Sequence, residues 1–225
     1  GVTSGATGFV FASGTSNTTV NLTNVVGAFS TGGSTNTATR DQAGFGTQTA
    51  NIIAGGYTGS YTNRTESYNG SSWSEVGDIP QTQAGLSGCG TQTSGLTFGG
   101  ETANKALTAS WDGSTWTAVN SMNTGRQTAA GFGTQTSAVA AGGNYPPTSL
   151  VEEWDGTNWT AVTALPSVRR LVTGAGTLTA GLVFGGIGPE PTTINLTEGT
   201  HVHKSPERIK LEKCRKALMK MVPKD

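Results

Sequence analysis

Few side chains in this sequence have the type and spacing that catalysis or metal binding requires. The only two histidines, His201 and His203, stand two positions apart and would need further ligands nearby to hold a metal ion. Glu152 and Glu153 are adjacent. Neighbouring residues in a strand point to opposite faces, so these two cannot act together as a general acid and a general base. We therefore expect no metal, no cofactor and no enzymatic activity.

The cysteines and the composition narrow the class of protein further. Cys89 and Cys214 lie far apart in segments of different character, and we expect two free thiols rather than a disulfide framework. Glycine contributes 34 of the 225 residues and charged residues only 12%. So much glycine disfavours helices, while five tryptophans and a formal net charge of zero disfavour a disordered chain. No apolar run is long enough to span a membrane.

An internal repeat supplies the elements that must position any functional residue. Paired glycines recur at intervals of 44, 43 and 43 residues, and a tryptophan follows each of the first three pairs. The pairs are Gly55 and Gly56, Gly99 and Gly100, Gly142 and Gly143, and Gly185 and Gly186; the tryptophans are Trp73, Trp116 and Trp159. A variant of Gly-Thr-Gln-Thr precedes every pair. A fixed period of this length indicates a repeat architecture.

Each repeat predicts four short strands. In the second full repeat they are residues 83–89, 95–98, 106–111 and 114–119. Asp112-Gly113 between the last two predicts a type I′ hairpin, which needs positive φ at both central positions. Four-stranded units with a period of about 40 to 50 residues are typical of β-propellers, in which each unit is one blade.

The unit resembles a kelch repeat over roughly residues 5–198. The glycine pair that ends the second strand carries the resemblance, together with an aromatic residue and a Trp five positions later, such as Trp111 and Trp116. That spacing is closer than in most kelch repeats, so we expect a tighter hairpin between the third and fourth strands. The resemblance implies an all-β, kelch-like β-propeller.

The ends of the repeat region are imperfect copies. A degraded glycine pair near residues 9–14 brings the number of such positions to five, which predicts five blades with the outer two incomplete. Because a ring leaves few exposed edges, we expect the two partial blades to lie side by side or to be covered by another subunit. We place the propeller at residues 1–200 and a separate basic helical tail at residues 201–225.

The tail begins where the charge pattern changes, near Lys204. Ser205 and Pro206 are typical of a helix start, and a short amphipathic helix follows. Its apolar face consists of Leu211, Cys214, Leu218 and Met221. A helix this short is marginal alone in water, so we expect it to dock against a partner protein or a sister subunit rather than nucleic acid.

Residues that recur at one phase of the repeat favour a structural role. We expect the three tryptophans to pack between neighbouring blades rather than to bind a ligand. Arg40, Arg126 and Arg169 also recur, with Gln83 in the remaining position. We expect these side chains to donate hydrogen bonds to loop carbonyls of a neighbouring blade.

Binding is expected where the repeats differ. The connections after the glycine pairs vary in composition, and loops on a rigid scaffold usually carry specificity. The candidate residues are Tyr57, Tyr61, Lys105 and Tyr145. A tyrosine offers both an apolar ring and a hydroxyl to a glycan or protein; loops that are merely solvated are the alternative.

Near-identical, weakly charged repeats are similar to the kelch-like repeats in structural proteins of bacterial viruses, particularly tail fibres and other virion appendages of marine phages. Residues 44–49 and 131–136 (Gly-Phe-Gly-Thr-Gln-Thr) and the Trp-Asp-Gly phrases at 111–113 and 154–156 carry this likeness. It implies a virion or extracellular location, a non-enzymatic role in assembly or host attachment, and virion proteins or a host-surface glycan or protein as partners. The alternatives are a secreted carbohydrate-binding or carbohydrate-active propeller, lectin or glycosidase-like, and an intracellular kelch-type adaptor.

Overall fold

The computed structural model describes residues 8–13, 16–21, 32–103, 105–188 and 193–197. Their regular elements are seventeen β-strands, so this part of the chain is all-β, as the composition and the repeat predict. None of its elements is a helix that could cross a membrane. The predicted tail helix and both histidines lie outside the described residues.

Three sheets each contain four antiparallel strands in chain order. In chain order, strands β3 to β14 are Ala43–Thr47, Ala50–Ala54, Thr65–Tyr68, Trp73–Val76, Ser87–Thr91, Ser94–Phe98, Thr108–Trp111, Trp116–Val119, Ala130–Thr134, Ser137–Ala141, Val151–Trp154 and Trp159–Val162. Strands β3 to β6 form sheet 1, β7 to β10 form sheet 2, and β11 to β14 form sheet 3. Each full repeat is therefore one sheet whose neighbouring strands are consecutive in the chain.

Two smaller sheets stand at the ends of the chain. Sheet 4 has three strands, β15 (Thr173–Gly176), β16 (Ala180–Phe184) and β17 (Thr193–Thr197). Strands β1 (Gly8–Ser13) and β2 (Ser16–Asn21) form an antiparallel hairpin in a compact unit of its own, separate from the unit that contains sheets 1 to 4. These two sheets correspond in sequence to the incomplete outer repeats.

The first strand of a repeat begins later than the sequence predicts. The sequence predicts a strand over residues 83–89, whereas β7 spans Ser87–Thr91. The carbonyl oxygen of Gln83 accepts the N–H of Gly56 at 2.6 Å, and Gly85 has a φ of 65°, which a strand does not contain. The segment before β7 therefore connects neighbouring sheets and is not part of one.

The third and fourth strands are joined by the four-residue loop 112–115, so the predicted type I′ turn is wrong. Only Gly113 has positive φ, at 97°. The Asp112 carboxylate instead accepts the backbone N–H groups of Thr115 and Ser114, each at 2.8 Å, and these bonds hold the pKa of that carboxyl well below its usual range. A side-chain oxygen therefore closes the turn, as it does in the matching loops of sheets 1 and 3.

Sheets 1 to 4 stack in a propeller-like blade arrangement in which the first strand of each sheet lies beside the first strand of the next. Phe45 of sheet 1 packs edge-on against Trp116 of sheet 2, with ring centroids 6.3 Å apart. Phe98 of sheet 2 contacts Trp159 of sheet 3 in the same way at 4.9 Å. Both tryptophans donate their Nε1–H to a threonine hydroxyl of the preceding sheet, at 3.1 and 2.9 Å. The hydrophobic core therefore lies between sheets.

The glycine pairs join each sheet to the chain segment that leads into the next one. The second glycine of each of the first three pairs donates its N–H to a carbonyl oxygen of that segment, at 2.6, 3.1 and 2.8 Å. The backbones approach so closely that a Cβ on Gly99 would lie 2.5 Å from the carbonyl oxygen of Arg126. Only glycine fits here, because this position also has a φ of 78°.

Within the unit of sheets 1 to 4, the two outer faces lack an equivalent neighbour among that unit's described residues. Phe184 of sheet 4 is 36% exposed, whereas Phe98, two repeats earlier, is fully buried. A Cβ on Gly185 would meet nothing within 4 Å. At the opposite end, a Cβ on Gly44 would touch only its own sheet. Among the described residues of this unit, the contact between neighbouring sheets thus has no counterpart on either outer face.

Candidate functional site

The loops between second and third strands form one candidate surface, called the loop surface here: residues 57–64, 101–107 without 104, 144–150 and 187–188. Three of these loops begin at a residue that pairs with the segment preceding the first strand of the same sheet: Tyr57 with Arg40, Asn144 with Gln127, and Ile187 with Arg170. These backbone bridges fix where each loop starts, so side chains that differ between repeats project from a repeated framework.

Two of the four candidate binding residues lie together on the loop of sheet 1. The rings of Tyr57 and Tyr61 meet edge-to-face with centroids 5.6 Å apart. The guanidinium of Arg40 lies 4.5 Å above the Tyr57 ring and also contacts the carboxylate of Asp41 at 2.6 Å. The Tyr61 hydroxyl points toward Glu101 on the loop of sheet 2, with the oxygens 3.5 Å apart.

The other two candidates bring together the loops of sheets 2 and 3. The ammonium nitrogen of Lys105 lies 5.3 Å from the centroid of the Tyr145 ring. Tyr145 is 60% exposed, the largest value among the exposed large hydrophobic side chains in the described part of the chain. The structure therefore arranges the four candidates as two pairs, each joining a tyrosine to a second tyrosine or to a cation, rather than as a single cluster.

An open groove of about 380 Å³ was not predicted from the sequence. Its lining residues are Pro147, Val168, Arg170, Ile187 and Gly188. The signal was present in the repeat comparison. Val168 and Ile187 occupy positions where the three earlier repeats carry Thr, Thr and Gly, and Tyr, Glu and Asn, and both side chains are about half exposed.

The recurring arginines do not share one environment. Arg126 is fully buried, and its Nη1 donates to Glu152 at 2.5 Å while its Nη2 donates to the carbonyl oxygen of Ala140 in sheet 3 at 3.0 Å. Burial lowers the pKa of Arg126, and its contact with Glu152 partly offsets that effect. Arg169 is also buried, whereas Arg40 lies exposed above Tyr57. Arg126 thus serves the fold, whereas Arg40 lies beside the loop of sheet 1, over Tyr57.

The chemically reactive side chains of the described residues sit in structural surroundings. Cys89 is a free, buried thiol whose pKa is raised to about 12 by burial, so it is protonated and unreactive near neutral pH. Glu152 and Glu153 are both buried in β13. No group of three His, Cys, Asp or Glu side chains in the described part of the chain is placed to hold a metal ion.

Comparisons with known proteins do not identify a family for this chain. No protein-family model matches the chain, and no curated protein matches it in sequence.

Proposed function

We propose that the chain is a kelch-like β-propeller of about five blades, with the outer two incomplete, followed by a short amphipathic helix. In this proposal it is a non-enzymatic structural or appendage protein of a virion, either a tail fibre or a decoration protein. It takes part in assembly or in attachment to the host surface, and the loop surface makes the attachment.

The observation that carries the proposal is the contrast between a repeated framework and unlike loops. Trp-to-Thr hydrogen bonds and glycine-pair hydrogen bonds recur from sheet to sheet. The loops held by this framework instead present Tyr61 and Tyr145, which are 41% and 60% exposed. A scaffold that keeps its core and varies its loops suits recognition of an external surface.

The tail supplies the assembly part of the proposal. Its apolar face of Leu211, Cys214, Leu218 and Met221 would anchor the chain to other virion proteins or to sister subunits. Deleting residues 204–225 is then expected to release the protein from particles or to lower its mass in solution, measured by light scattering. If attachment and mass both stay unchanged, the tail has no such role.

The virion assignment is tested on particles whose genome encodes the chain. We expect its peptides in purified particles, gold-labelled antibody on an appendage, and neighbouring genes for capsid or tail proteins. Particles that lack the chain would contradict the assignment.

A secreted or periplasmic carbohydrate-binding or carbohydrate-active propeller is the second candidate, and the exposed tyrosines favour it. Whether the propeller only binds a carbohydrate or also acts on it, replacing Tyr57, Tyr61 and Tyr145 by Ala is expected to remove glycan binding. Turnover of an oligosaccharide by the purified chain would contradict the non-enzymatic assignment and support this candidate.

A further inference from the structure

The outer face of sheet 4 carries the same apolar side chains that sheet 2 packs against sheet 3. Leu182 and Phe184 hold the positions of Leu96 and Phe98, two repeats earlier. Leu96 and Phe98 are fully buried in the core between sheets 2 and 3, whereas Phe184 is 36% exposed. Val183 packs into the core shared with sheet 3, so its neighbours Leu182 and Phe184 lie on the other face. Sheet 4 therefore leaves open an apolar pair that is buried inside the unit.

The outer face of sheet 1 carries the receiving positions of the same contact. In sheet 3, the Trp159 ring meets the Phe98 ring at 4.9 Å, and a Cβ on Gly131 would lie 2.9 Å from the Phe98 ring. Sheet 1 has Trp73 and Gly44 at these two positions. Gly44 is exposed, and a Cβ on it would meet atoms of its own sheet only. Sheet 1 therefore presents both the aromatic ring and the gap that receive a phenylalanine.

Backbone groups on the two outer faces also match. Inside the unit, the second glycine of a pair donates its N–H to the segment before the next sheet, as Gly100 does to the carbonyl oxygen of Arg126 at 3.1 Å. Gly186 is the second glycine of sheet 4, and the carbonyl oxygen of Thr39 holds the acceptor position before sheet 1. Neither group has a backbone hydrogen-bond partner among the described residues. One face thus offers the donor and the other the acceptor.

The sizes of the side chains beside these positions are compatible with the same contact. Inside the unit, a large residue of a first strand faces a glycine of the next sheet, and a Cβ on Gly95 would overlap the Phe45 ring. At the corresponding positions sheet 4 has Ala175 and sheet 1 has Asn51. A small side chain would then lie opposite a larger one, which preserves the room that the contact needs.

A second copy of the chain is the occupant that these observations select. The two outer faces are complementary to each other, because one supplies a phenylalanine and an N–H while the other supplies a tryptophan, a gap and a carbonyl oxygen. Strand contacts join sheet 1 to sheet 2, sheet 2 to sheet 3 and sheet 3 to sheet 4. A second copy would extend this series with the kind of contact that already joins the sheets.

We propose that copies of this chain associate head to tail, with the outer face of sheet 4 in one copy packed on the outer face of sheet 1 in the next. Phe184 lies against Trp73 and over Gly44 of the next copy, and the N–H of Gly186 donates to the carbonyl oxygen of Thr39. Such a contact is heterologous, and the rotation between copies decides whether a ring closes or a filament grows. The inference goes beyond the proposed function, because it applies to a virion protein and to a secreted propeller alike.

The test measures the mass of the full chain by sedimentation velocity over a range of concentrations. We expect the mass of one chain, 22.9 kDa, in dilute samples and multiples of it as the concentration rises. Phe184 is then exposed in the dilute monomer and covered in the associated form. A chain that stays monomeric at every concentration would overturn the proposal, since its outer faces are then left open or are covered by another part of the same chain.

Two variants each disable one outer face. Phe184→Asp places a charge on sheet 4, and Gly44→Arg fills the gap on sheet 1, where the added side chain has room within its own chain. Each is expected to weaken self-association at least about tenfold. The matched controls, Thr117→Asp and Ala118→Arg, add the same charges to exposed residues of β10 in sheet 2 and should leave self-association unchanged. Thermal melts check that each variant is folded.

A mixture of the two variants distinguishes head-to-tail from symmetric association. The Phe184→Asp protein keeps its sheet 1 face and the Gly44→Arg protein keeps its sheet 4 face, so an equimolar mixture is expected to form a complex of two chains. Failure to form this complex, when the unmodified chain does associate, would overturn the proposal.

The same assay separates this contact from the tail and from the proposed function. Deleting residues 204–225 should leave the concentration-dependent association in place, and its loss on deletion would assign the contact to the tail and overturn the proposal. Absence of the chain from purified particles would contradict the virion assignment, whereas head-to-tail association of the purified chain would still be observed.

Discussion

At the scale of single residues, Arg126 and Glu152 form a buried ion pair between the segment before sheet 3 and its third strand. Both side chains are almost fully buried. Glu152 also accepts the backbone N–H of Asn123 at 2.7 Å, so its two oxygens serve both the arginine and the turn that precedes sheet 3. Removing one partner of such a pair leaves a buried charge without compensation, which costs about 3 to 5 kcal/mol.

We expect Glu152→Ala to lower the free energy of unfolding by about 3 to 5 kcal/mol, because it leaves the Arg126 guanidinium uncompensated in the core. The preceding repeat offers a matched rescue, since it carries Gln83 and Ala109 at these two positions. The double variant Arg126→Gln, Glu152→Ala copies that pair and should recover more than half of the loss. Urea denaturation measures both. A double variant no more stable than the single one would contradict this account of the pair.

At the scale of the elements, the glutamines of the Gly-Thr-Gln-Thr turns in sheets 2 and 3 link each of these sheets to the one before it. Gln135 donates its side-chain amide to the Ser110 hydroxyl at 2.9 Å and to the carbonyl oxygen of Trp111 at 2.6 Å. Gln92 makes the same two contacts with sheet 1. Besides reversing the chain, the turn therefore links two neighbouring sheets by hydrogen bonds.

Gln135→Ala is expected to destabilise the protein by about 1 to 3 kcal/mol, because it leaves partly buried hydrogen-bonding groups of sheet 2 without their partner. Gln48 is the matched control. It holds the same repeat position in sheet 1 but is exposed, so Gln48→Ala should change stability by less than about 0.5 kcal/mol. Equal losses in the free energy of unfolding of the two variants, measured by urea denaturation, would contradict this role of the glutamine.

At the scale of the whole stack, stability depends on which faces are covered. Phe98 is fully buried and packs against Trp159 of the next sheet. Phe184, at the corresponding position of sheet 4, is 36% exposed. Repeat arrays gain much of their stability from contacts between neighbouring units, and their terminal units are the weakest part.

The two phenylalanines provide a direct comparison. Phe98→Ala is expected to cost about 3 to 5 kcal/mol, as for other buried phenylalanines. Phe184→Ala should cost less than half as much, because less apolar surface is removed from water there. The measurement is the midpoint and slope of urea denaturation. An equal loss for Phe184→Ala would mean that the outer face of sheet 4 is covered in solution.

Much of the fold was predictable because it follows from rules that act over a few residues. Glycines mark the close backbone approach at the end of each second strand, and alternating short strands follow between turns. Two local predictions were wrong because other contacts form at those positions. The Asp112 carboxylate accepts two backbone N–H groups, which opens the predicted two-residue turn into a four-residue loop. Gln83 joins neighbouring sheets instead of extending β7.

The candidate site was predictable only in part. The loops and the residues Tyr57, Tyr61, Lys105 and Tyr145 follow from the places where repeats differ. The pairing of Lys105 with Tyr145 and the groove that contains Arg170 did not follow, because they depend on how the loops of neighbouring sheets approach each other.

The sequence by itself determined the all-β character and the register of the repeat, since composition and spacing act on each unit separately. Only the tertiary structure decided which residues meet. Trp159 donates to Thr108 across 51 positions, and Gln135 reaches Ser110 across 25. A repeated pattern sets the phase of every residue but leaves its partner undetermined, because that partner belongs to another unit and is selected by the packing of one sheet on the next.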